Sequence, residues 1–146
     1  MDGLIRAISI SDRKGIAKTN VDSIVLIANH GLEGDAHAGP WHRQVSLLAE
    51  ESIAKMRAKG LSVEPGAFAE NITTAGLNLP ALAIGARLRL GQAELEITQI
   101  GKTCHKHCAI YEQAGDCIMP REGLFARVLV GGEIHVGDAI WEKDEG

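Results

Sequence analysis

The sequence lacks the features that direct a chain into or across a membrane. It has no run of about eighteen apolar residues, the length that a membrane-spanning helix needs. The first residues, Met1 to Arg6, have neither the basic start nor the long apolar stretch of a secretory signal peptide. We therefore expect a cytoplasmic protein without a membrane partner.

Positive charge is also scarce. Lys and Arg number 15 against 19 Asp and Glu, which gives a formal net charge of -4. Broad binding to nucleic acid relies on many cationic contacts to phosphates, and an acidic excess disfavours it. We expect no nucleic-acid partner, and any bound anion should be small and held by a local group of cations.

Cysteine is limited to three residues, Cys104, Cys108 and Cys117, which lie close together in the chain. An odd number in a reducing compartment argues against a disulfide framework. Cys117 lies in an apolar stretch, where a cysteine usually acts as a small buried hydrophobe. Cys104 and Cys108 lie among lysines and histidines, which favour the thiolate, the form that attacks sulfur or binds metal.

The same cluster permits a second interpretation, because cysteine and histidine are the residue types that bind zinc. The candidate ligands are Cys104, His105, His107, Cys108 and Cys117. Structural zinc sites usually have two well-separated close pairs, whereas here a single crowded pair is followed by one outlying thiol. The spacing favours a reactive thiol over a zinc-stabilised structural protein.

The chain length of 146 residues and its 45% hydrophobic content suit one domain over residues 1–146. Alternating or apolar stretches recur and predict short strands. They cover residues 4–10, 23–27, 44–48, 86–90, 93–98, 133–136 and 139–142. Glycines number 17 and prolines 4, and this pattern favours a mainly β fold, a closed or partly closed β-barrel with a few peripheral helices.

Two local predictions are specific. Gly91-Gln92 separates two predicted strands and has glycine first, as a type II′ hairpin turn requires. Residues 49–59 have acidic residues in the first turn and basic residues in the last, and Gly60 follows. We expect a helix that begins at Ala49 or Glu50 and ends by Gly60.

A loop at residues 32–44 carries His37, Arg43 and Asp35 just before a predicted strand. A rigid strand fixes such a loop, so that its polar side chains can face a ligand. An arginine fork matches phosphate or carboxylate, which favours His37 and Arg43 as anion-binding residues. For Asp35 we expect a local hydrogen bond from side chain to backbone.

Two adjacent polar residues, Glu70 and Asn71, lie in an otherwise apolar, strand-like stretch at residues 65–73. If strand alternation holds, one of the two side chains points inward, and Asn71 is the candidate. An inward amide can satisfy a buried backbone turn or contact a ligand, and the sequence leaves both roles open.

Several of these segments together resemble the MOSC domain family. The matching blocks are residues 31–39, 43–48, 65–73, 84–91, 98–104 and 123–128, then Gly131, Gly132, Val136, Gly137 and Asp138. The resemblance therefore extends over nearly the whole chain. It implies a pyruvate-kinase-barrel-like β-barrel with a few helices packed outside.

The resemblance also implies the chemistry. Members of this family are thought to bind the molybdenum cofactor (molybdopterin), and a cysteine carries sulfur or ligates molybdenum. That cysteine falls at Cys104, with Cys108 as the fallback. The residues expected to hold the anionic pterin are His37, Arg43, Asn71 and Lys102. Ala36 departs from the family pattern, since relatives often have a basic residue there. One expected contact to the anion is therefore missing, and Arg43 and Lys102 have to provide more of the positive charge.

The implied function is a cofactor-binding or sulfur-carrier domain. A pyridoxal-phosphate-dependent cysteine desulfurase would donate the sulfur, and a molybdoenzyme is the other implied partner. Larger relatives have further domains for substrate, electron transfer or pyridoxal phosphate, so sulfur-transfer or molybdenum-dependent catalysis should here need partner proteins. The alternative is a non-catalytic protein that stores or hands over the cofactor, with Cys104 as a passive ligand.

Overall fold

The computed structural model describes residues 2–13, 18–60, 63–68, 70–101 and 123–143. This part of the chain forms eleven strands: β1 (Asp2–Ile10), β2 (Thr19–Val21), β3 (Ser23–Ile27), β4 (Gly31–Leu32), β5 (Val45–Ala49), β6 (Ile72–Ala75), β7 (Arg87–Leu90), β8 (Ala93–Ile100), β9 (Leu124–Val130), β10 (Gly132–His135) and β11 (Ala139–Glu142). It also contains one α-helix, α1 (Glu50–Ala58), and a short 3-10 helix (Leu79–Ala81).

Seven of the strands close into a barrel. Their hydrogen-bonded order is β11-β7-β8-β9-β5-β6-β1, and β1 pairs in turn with β11. Closure leaves the ring without an unpaired edge. The neighbours are antiparallel except β5 and β6, which run parallel. The prediction of a mainly β fold with a closed or partly closed barrel is confirmed, and the barrel is closed.

The remaining strands extend the barrel. β2 pairs with the second half of β1, and β3 lies between β10 and β4 in a separate three-stranded sheet. The last two strands were predicted from similar sequence patterns, yet they do not pair with each other. Hydrogen bonds from Ile5 N to Asp138 O (2.9 Å) and from Gly137 N to Ile5 O (2.8 Å) tie the intervening turn to β1 instead.

The helix and hairpin predictions are both confirmed. Helix α1 has Glu50 and Glu51 in its first turn, and Gly60 follows its end with a φ of 94°. Gly91 has a φ of 57°, and Leu90 pairs directly with Ala93. A positive φ at the first turn residue alone is the type II′ geometry, in which glycine avoids a Cβ clash.

Apolar side chains fill both the barrel and the space beneath α1. Each barrel strand contributes to the interior, through residues that include Ile5, Leu47, Ile72, Leu88, Leu95, Ala126 and Ile140. A second cluster packs the helix against the outer surface and consists of Leu48, Ile53, Met56, Val63, Phe68 and Phe125. Neighbouring residues of β5 belong to different clusters, so this strand is buried on both faces. Its outer face packs against helix α1.

Glu70 and Asn71 precede β6 and are both fully buried, so the expected alternation does not apply to them. The reason is that β6 begins only at Ile72. Asn71 Oδ1 accepts a hydrogen bond from Ser46 N (2.9 Å), and its Nδ2 donates one to Ser9 O (3.1 Å). The amide therefore satisfies buried backbone groups of β5 and β1.

The Glu70 carboxylate closes the turn before it. It accepts hydrogen bonds from Gly66 N (2.9 Å), Phe68 N (3.1 Å) and the Thr73 hydroxyl (3.2 Å). Burial raises the pKa of Glu70, and these hydrogen bonds offset only part of the effect. A raised pKa means that the folded state holds the proton more tightly than the unfolded state does.

We predict that Glu70 makes the free energy of unfolding fall as the pH rises. Its contribution is fully present below the ordinary pKa of 4.5 and is lost as the pH rises through the raised value. Replacing Glu70 with Gln should remove this slope, whatever constant cost the altered hydrogen bonds add. Urea unfolding at a series of pH values from about 4.5 upward measures it.

The exposed Glu64 gives the matched control, since its side chain is 82% exposed. Glu64→Gln should keep the slope of the unmodified protein. If Glu70→Gln keeps that slope as well, the burial of Glu70 does not control the pH dependence.

Candidate functional site

The loop predicted to hold the site connects β4 to β5. In β4, just before the loop, Gly31 has a φ of 129°, and a Cβ atom there would lie 2.6 Å from Gln44 O. Only glycine fits such a backbone conformation and such a close approach. Hydrogen bonds from Ala36 N to Ser11 O (2.8 Å) and from Gly39 N to His30 O (2.7 Å) hold the loop against the barrel end.

Asp35 makes the local hydrogen bond expected of it, accepting from His37 N at 3.2 Å. It also has a larger role than the sequence suggested. Its Oδ1 lies 2.7 Å from Lys18 Nζ and accepts from Ser11 N at 3.1 Å, and the side chains of Lys18 and Asp35 are both 0% exposed. Burial raises the pKa of Asp35, but Lys18 and Ser11 outweigh it and hold that pKa below the ordinary value.

The same lysine contacts His37. Lys18 Nζ lies 2.9 Å from His37 Nδ1 and 3.3 Å from Ser11 Oγ. His37 was predicted from the sequence and Lys18 was not, since nothing nearby in the chain marks it as a buried lysine. A polar cluster of Ser11, Lys18, Asp35 and His37 thus lies beneath the loop.

Arg43 is held by Gln99, at the end of β8. Its Nε donates to Gln99 Oε1 at 3.0 Å, and the guanidinium lies 5.3 Å from the centre of the Phe125 ring. Such cation–π contact adds to the hold on the guanidinium. In the described part of the chain, the terminal nitrogens of Arg43 make no hydrogen bond. Among the described contacts, the guanidinium is therefore hydrogen-bonded through Nε alone.

Gln99 connects three parts of the site. Its Oε1 also accepts from His42 Nε2 at 2.9 Å, and its Nε2 donates to Gly101 O at 2.7 Å. The sequence marked Gln99 only as part of the block before Cys104. Its partners on the loop, His42 and Arg43, are more than fifty positions away in the chain, so no local pattern could reveal this role.

Trp41 lies between the two predicted anion-binding residues. Its Nε1 donates to His37 O at 2.7 Å, and the Arg43 guanidinium lies 6.0 Å from its ring centre. An open cleft of about 230 Å³ adjoins it, lined by Asn29, Pro40, Trp41, His42, Glu96, Thr98 and Arg127. Trp41 thus joins the His37 and Arg43 parts of the loop beside a cleft large enough for a small ligand group.

Lys102, Cys104 and Cys108 lie outside the described residues, so their predicted roles stay predictions. Within the described ranges, no group of three or more His, Cys, Asp or Glu is arranged to hold a metal ion. Gly101 N donates to Gly123 O at 2.6 Å. The two residues that flank segment 102–122 are therefore adjacent, beside Gln99.

Asn71 is the predicted site residue that lies beneath the loop, where its side-chain hydrogen bond to Asp35 helps to lower the pKa of that carboxyl. Its side chain is 0% exposed, and its amide is bonded to the backbone of two strands. Of the two roles that the sequence left open, the structure shows hydrogen bonds between the Asn71 amide and buried backbone groups. Because the side chain is 0% exposed, a ligand contact by Asn71 stays a prediction.

Comparisons with known proteins give the same family as the sequence blocks. The MOSC domain pattern matches residues 33–141. Protein YiiM of Escherichia coli (strain K12) is 30% identical over 124 residues, which cover 71% of this chain and 50% of that protein. The chain thus spans about half the length of this curated relative.

Solved structures show the same fold. The YuaD protein from Bacillus subtilis has a TM-score of 0.81 at 18% identity, covering 96% of this chain and 94% of that one. YiiM from Geobacillus stearothermophilus has a TM-score of 0.72 at 20% identity, covering 99% of this chain and 76% of that one. Among the described residues, no helix has the length and hydrophobicity that crossing a bilayer requires.

We predict that Lys18→Met destabilises the protein by about 3–5 kcal/mol near neutral pH, because it leaves the buried Asp35 carboxylate without its cation. Asp35 has a lowered pKa, so its contribution is present above the ordinary value of 3.8 and is lost as the pH falls. The difference between the variant and the unmodified protein should therefore shrink on acidification. Urea unfolding from about pH 7 down to about pH 3, below the ordinary pKa of 3.8, measures both effects.

Lys143→Met is the matched control, since Lys143 pairs with Glu94 at 3.3 Å but its side chain is 43% exposed. Exposed pairs contribute about 1 kcal/mol or less. An equally small effect of Lys18→Met near neutral pH would show that the buried pair does not stabilise the loop.

Proposed function

The chain belongs to the MOSC domain family, and from this premise we propose that it is a cytoplasmic molybdenum-cofactor-binding domain with sulfur carried on Cys104. Cys108 is the fallback for the reactive thiol. In this proposal the cofactor's anionic pterin lies against the loop between β4 and β5, and Cys104 supplies the reactive thiol.

The network around Gln99 is the observation that carries this proposal. The Gln99 side chain bonds Arg43 Nε (3.0 Å) on the loop and Gly101 O (2.7 Å) at the end of β8. A predicted anion-binding residue is thus joined to the last described residue before Lys102 and Cys104. This supports a single site built from segments that are far apart in the sequence.

Arg43 has the properties that an anionic pterin requires. Its Nε is fixed by Gln99 and its guanidinium lies over Phe125, while its two terminal nitrogens suit a bidentate contact to phosphate or carboxylate. The donor set therefore fits the cofactor. When bound, the cofactor would supply the molybdenum centre, and Arg43, His37 and Lys102 would hold its anionic part.

Asn71 has an indirect role in this proposal. It fixes Ser46 in β5 and Ser9 in β1 by side-chain hydrogen bonds of 2.9 and 3.1 Å. These strands support the loop that carries His37 and Arg43. The side chain of Asn71 thus stabilises the site from beneath.

Sulfur loading would need a partner with a persulfide, such as a pyridoxal-phosphate-dependent cysteine desulfurase. The Cys104 thiolate attacks the terminal sulfur of the donor persulfide, the donor's sulfur–sulfur bond breaks and the donor leaves as a thiolate. The product is a persulfide on Cys104, with no external oxidant or reductant consumed. A molybdoenzyme is the proposed partner for the cofactor.

We predict that incubation with a cysteine desulfurase and free cysteine adds sulfur to the protein at Cys104, measured by mass spectrometry without reductant. Cys104→Ser should remain unloaded, and Cys117→Ser, the matched control, should load normally. Loading that survives Cys104→Ser and is lost in Cys108→Ser would move the role to Cys108. No loading of the unmodified protein would leave cofactor storage, with a passive cysteine ligand, as the function.

We predict that Arg43→Ala reduces pterin retention by about tenfold or more, because a hydrogen bond to a charged group contributes about 1.5–3 kcal/mol. The measurement is pterin and molybdenum bound to protein purified from a molybdenum-replete host. Arg89→Ala is the matched control, since Arg89 is exposed on β7. Equal retention by both variants would contradict a pterin site at Arg43.

A further inference from the structure

We propose that Lys18 is a positioning residue that keeps the ring proton of His37 on Nε2. His37 then offers an N–H donor at Nε2, while its Nδ1 accepts from the lysine. The inference rests on the proposed function only where it concerns the ligand that His37 meets. The proton position itself follows from the buried cluster beneath the loop.

The contacts of Lys18 Nζ define the roles of the ring nitrogens. The ammonium lies 2.7 Å from Asp35 Oδ1, 2.9 Å from His37 Nδ1 and 3.3 Å from Ser11 Oγ. An ammonium group has three hydrogens to donate and accepts none. Ser11 Oγ donates to Arg13 O at 2.8 Å, so towards Lys18 it acts as an acceptor. His37 Nδ1 must accept likewise, and in the neutral ring the proton is on Nε2.

The cluster holds the lysine firmly in this position. Lys18 N donates to Gly66 O at 2.9 Å, and Asp35 N donates to Leu32 O at 3.1 Å, so both backbones are fixed. The two side chains are 0% exposed. Moving the ammonium away from His37 would disturb an ion pair that has no solvent to replace it.

Of the residues that the structure describes, Asp35 is the other charged group that faces the ring. Its Oδ2 lies 4.0 Å from His37 Nδ1, beyond hydrogen-bond distance, and accepts instead from His37 N at 3.2 Å. The nearer Lys18 therefore decides the role of Nδ1. A proton on Nδ1 would place two N–H donors against each other at 2.9 Å.

This assignment divides the tasks in the site. The His37 side chain is 18% exposed, so part of the ring reaches the surface of the loop. In this assignment, a carbonyl or phosphate oxygen of a pterin that meets the ring accepts its hydrogen bond from Nε2. The positive charge of the proposed site then comes from Arg43 and Lys102, and Lys18 acts only through His37.

Nitrogen NMR of the ligand-free protein tests the proton position directly. Long-range proton–nitrogen correlations distinguish a protonated from an unprotonated ring nitrogen, and the His37 signals are assigned by their loss in His37→Gln. We expect Nδ1 to be unprotonated and Nε2 to be protonated. A proton on Nδ1, alone or together with one on Nε2, would overturn the inference.

Substitutions test whether Lys18 is the cause. Lys18→Met should shift the proton at least partly to Nδ1, whereas Ser11→Ala, which keeps the lysine, should not. Lys18→Met with Asp35→Asn also removes the unpaired buried carboxylate and serves if the single variant does not fold. If Lys18→Met or the double variant folds and its His37 tautomer is unchanged, the role of Lys18 is refuted. If both of these lysine variants fail to fold, the test is the NMR coupling across the hydrogen bond between Lys18 Nζ and His37 Nδ1 in the unmodified protein. Its absence overturns the inference.

Ligand binding gives a second readout, with molybdopterin as the probe. The glutamine amide nitrogen can replace the Nε2 donor, whereas the asparagine amide lies nearer the Nδ1 position. We expect His37→Gln to retain affinity within about threefold and His37→Asn to lose about tenfold, the range of one hydrogen bond. The reverse order would contradict donation through Nε2. If the unmodified protein binds no pterin while the NMR result holds, the proposed function fails and the role of Lys18 stands.

Discussion

The buried ion pair of Lys18 and Asp35 is the interaction on which the candidate site depends. Removing two charges from water is costly, and such a pair is tolerated only when further hydrogen bonds satisfy the remaining polar groups. Here Ser11 N, His37 N and Ser11 Oγ complete the cluster around the 2.7 Å contact. The pair thereby fixes the loop after β4 to Ser11, which follows β1, and to Lys18, which precedes β2.

A second network fixes the other half of the loop. Gln99 bonds His42, Arg43 and Gly101, and through them it joins the loop to the end of β8. The two networks have different consequences. Lys18 and Asp35 are internally neutralised and act by position, whereas Arg43 carries a charge that Gln99, a neutral amide, orients without cancelling. A net-acidic protein can in this way hold an anion at one place on its surface.

The sequence predicted the elements whose pattern is local. The mainly β fold, helix α1 and the Gly91 turn follow from strand alternation, charge placement and a required positive φ, all of which are read within a few residues. The loop between β4 and β5 could also be predicted, because glycines and polar side chains precede an apolar strand. The separation of β10 and β11 could not, since the strand partners come from distant parts of the chain.

Burial of polar residues was the main feature that the sequence concealed. Lys18 meets Asp35 from 17 residues away, and Asn71 meets Ser9 from 62 residues away, so neither partner is visible locally. Glu70 and Asn71 were read as alternating strand residues, but the strand begins after them. A buried polar side chain is decided by the groups that surround it in three dimensions, whereas periodicity reports only which face of an element is apolar.

Hydrogen–deuterium exchange with and without the molybdenum cofactor tests the central claim, that one ligand contacts both the loop after β4 and the end of β8. We expect added protection in peptides that cover residues 33–43 and 98–104, and none in β10. Protection confined to other parts of the chain, or no change at saturating cofactor, would contradict a molybdenum-cofactor site at this place.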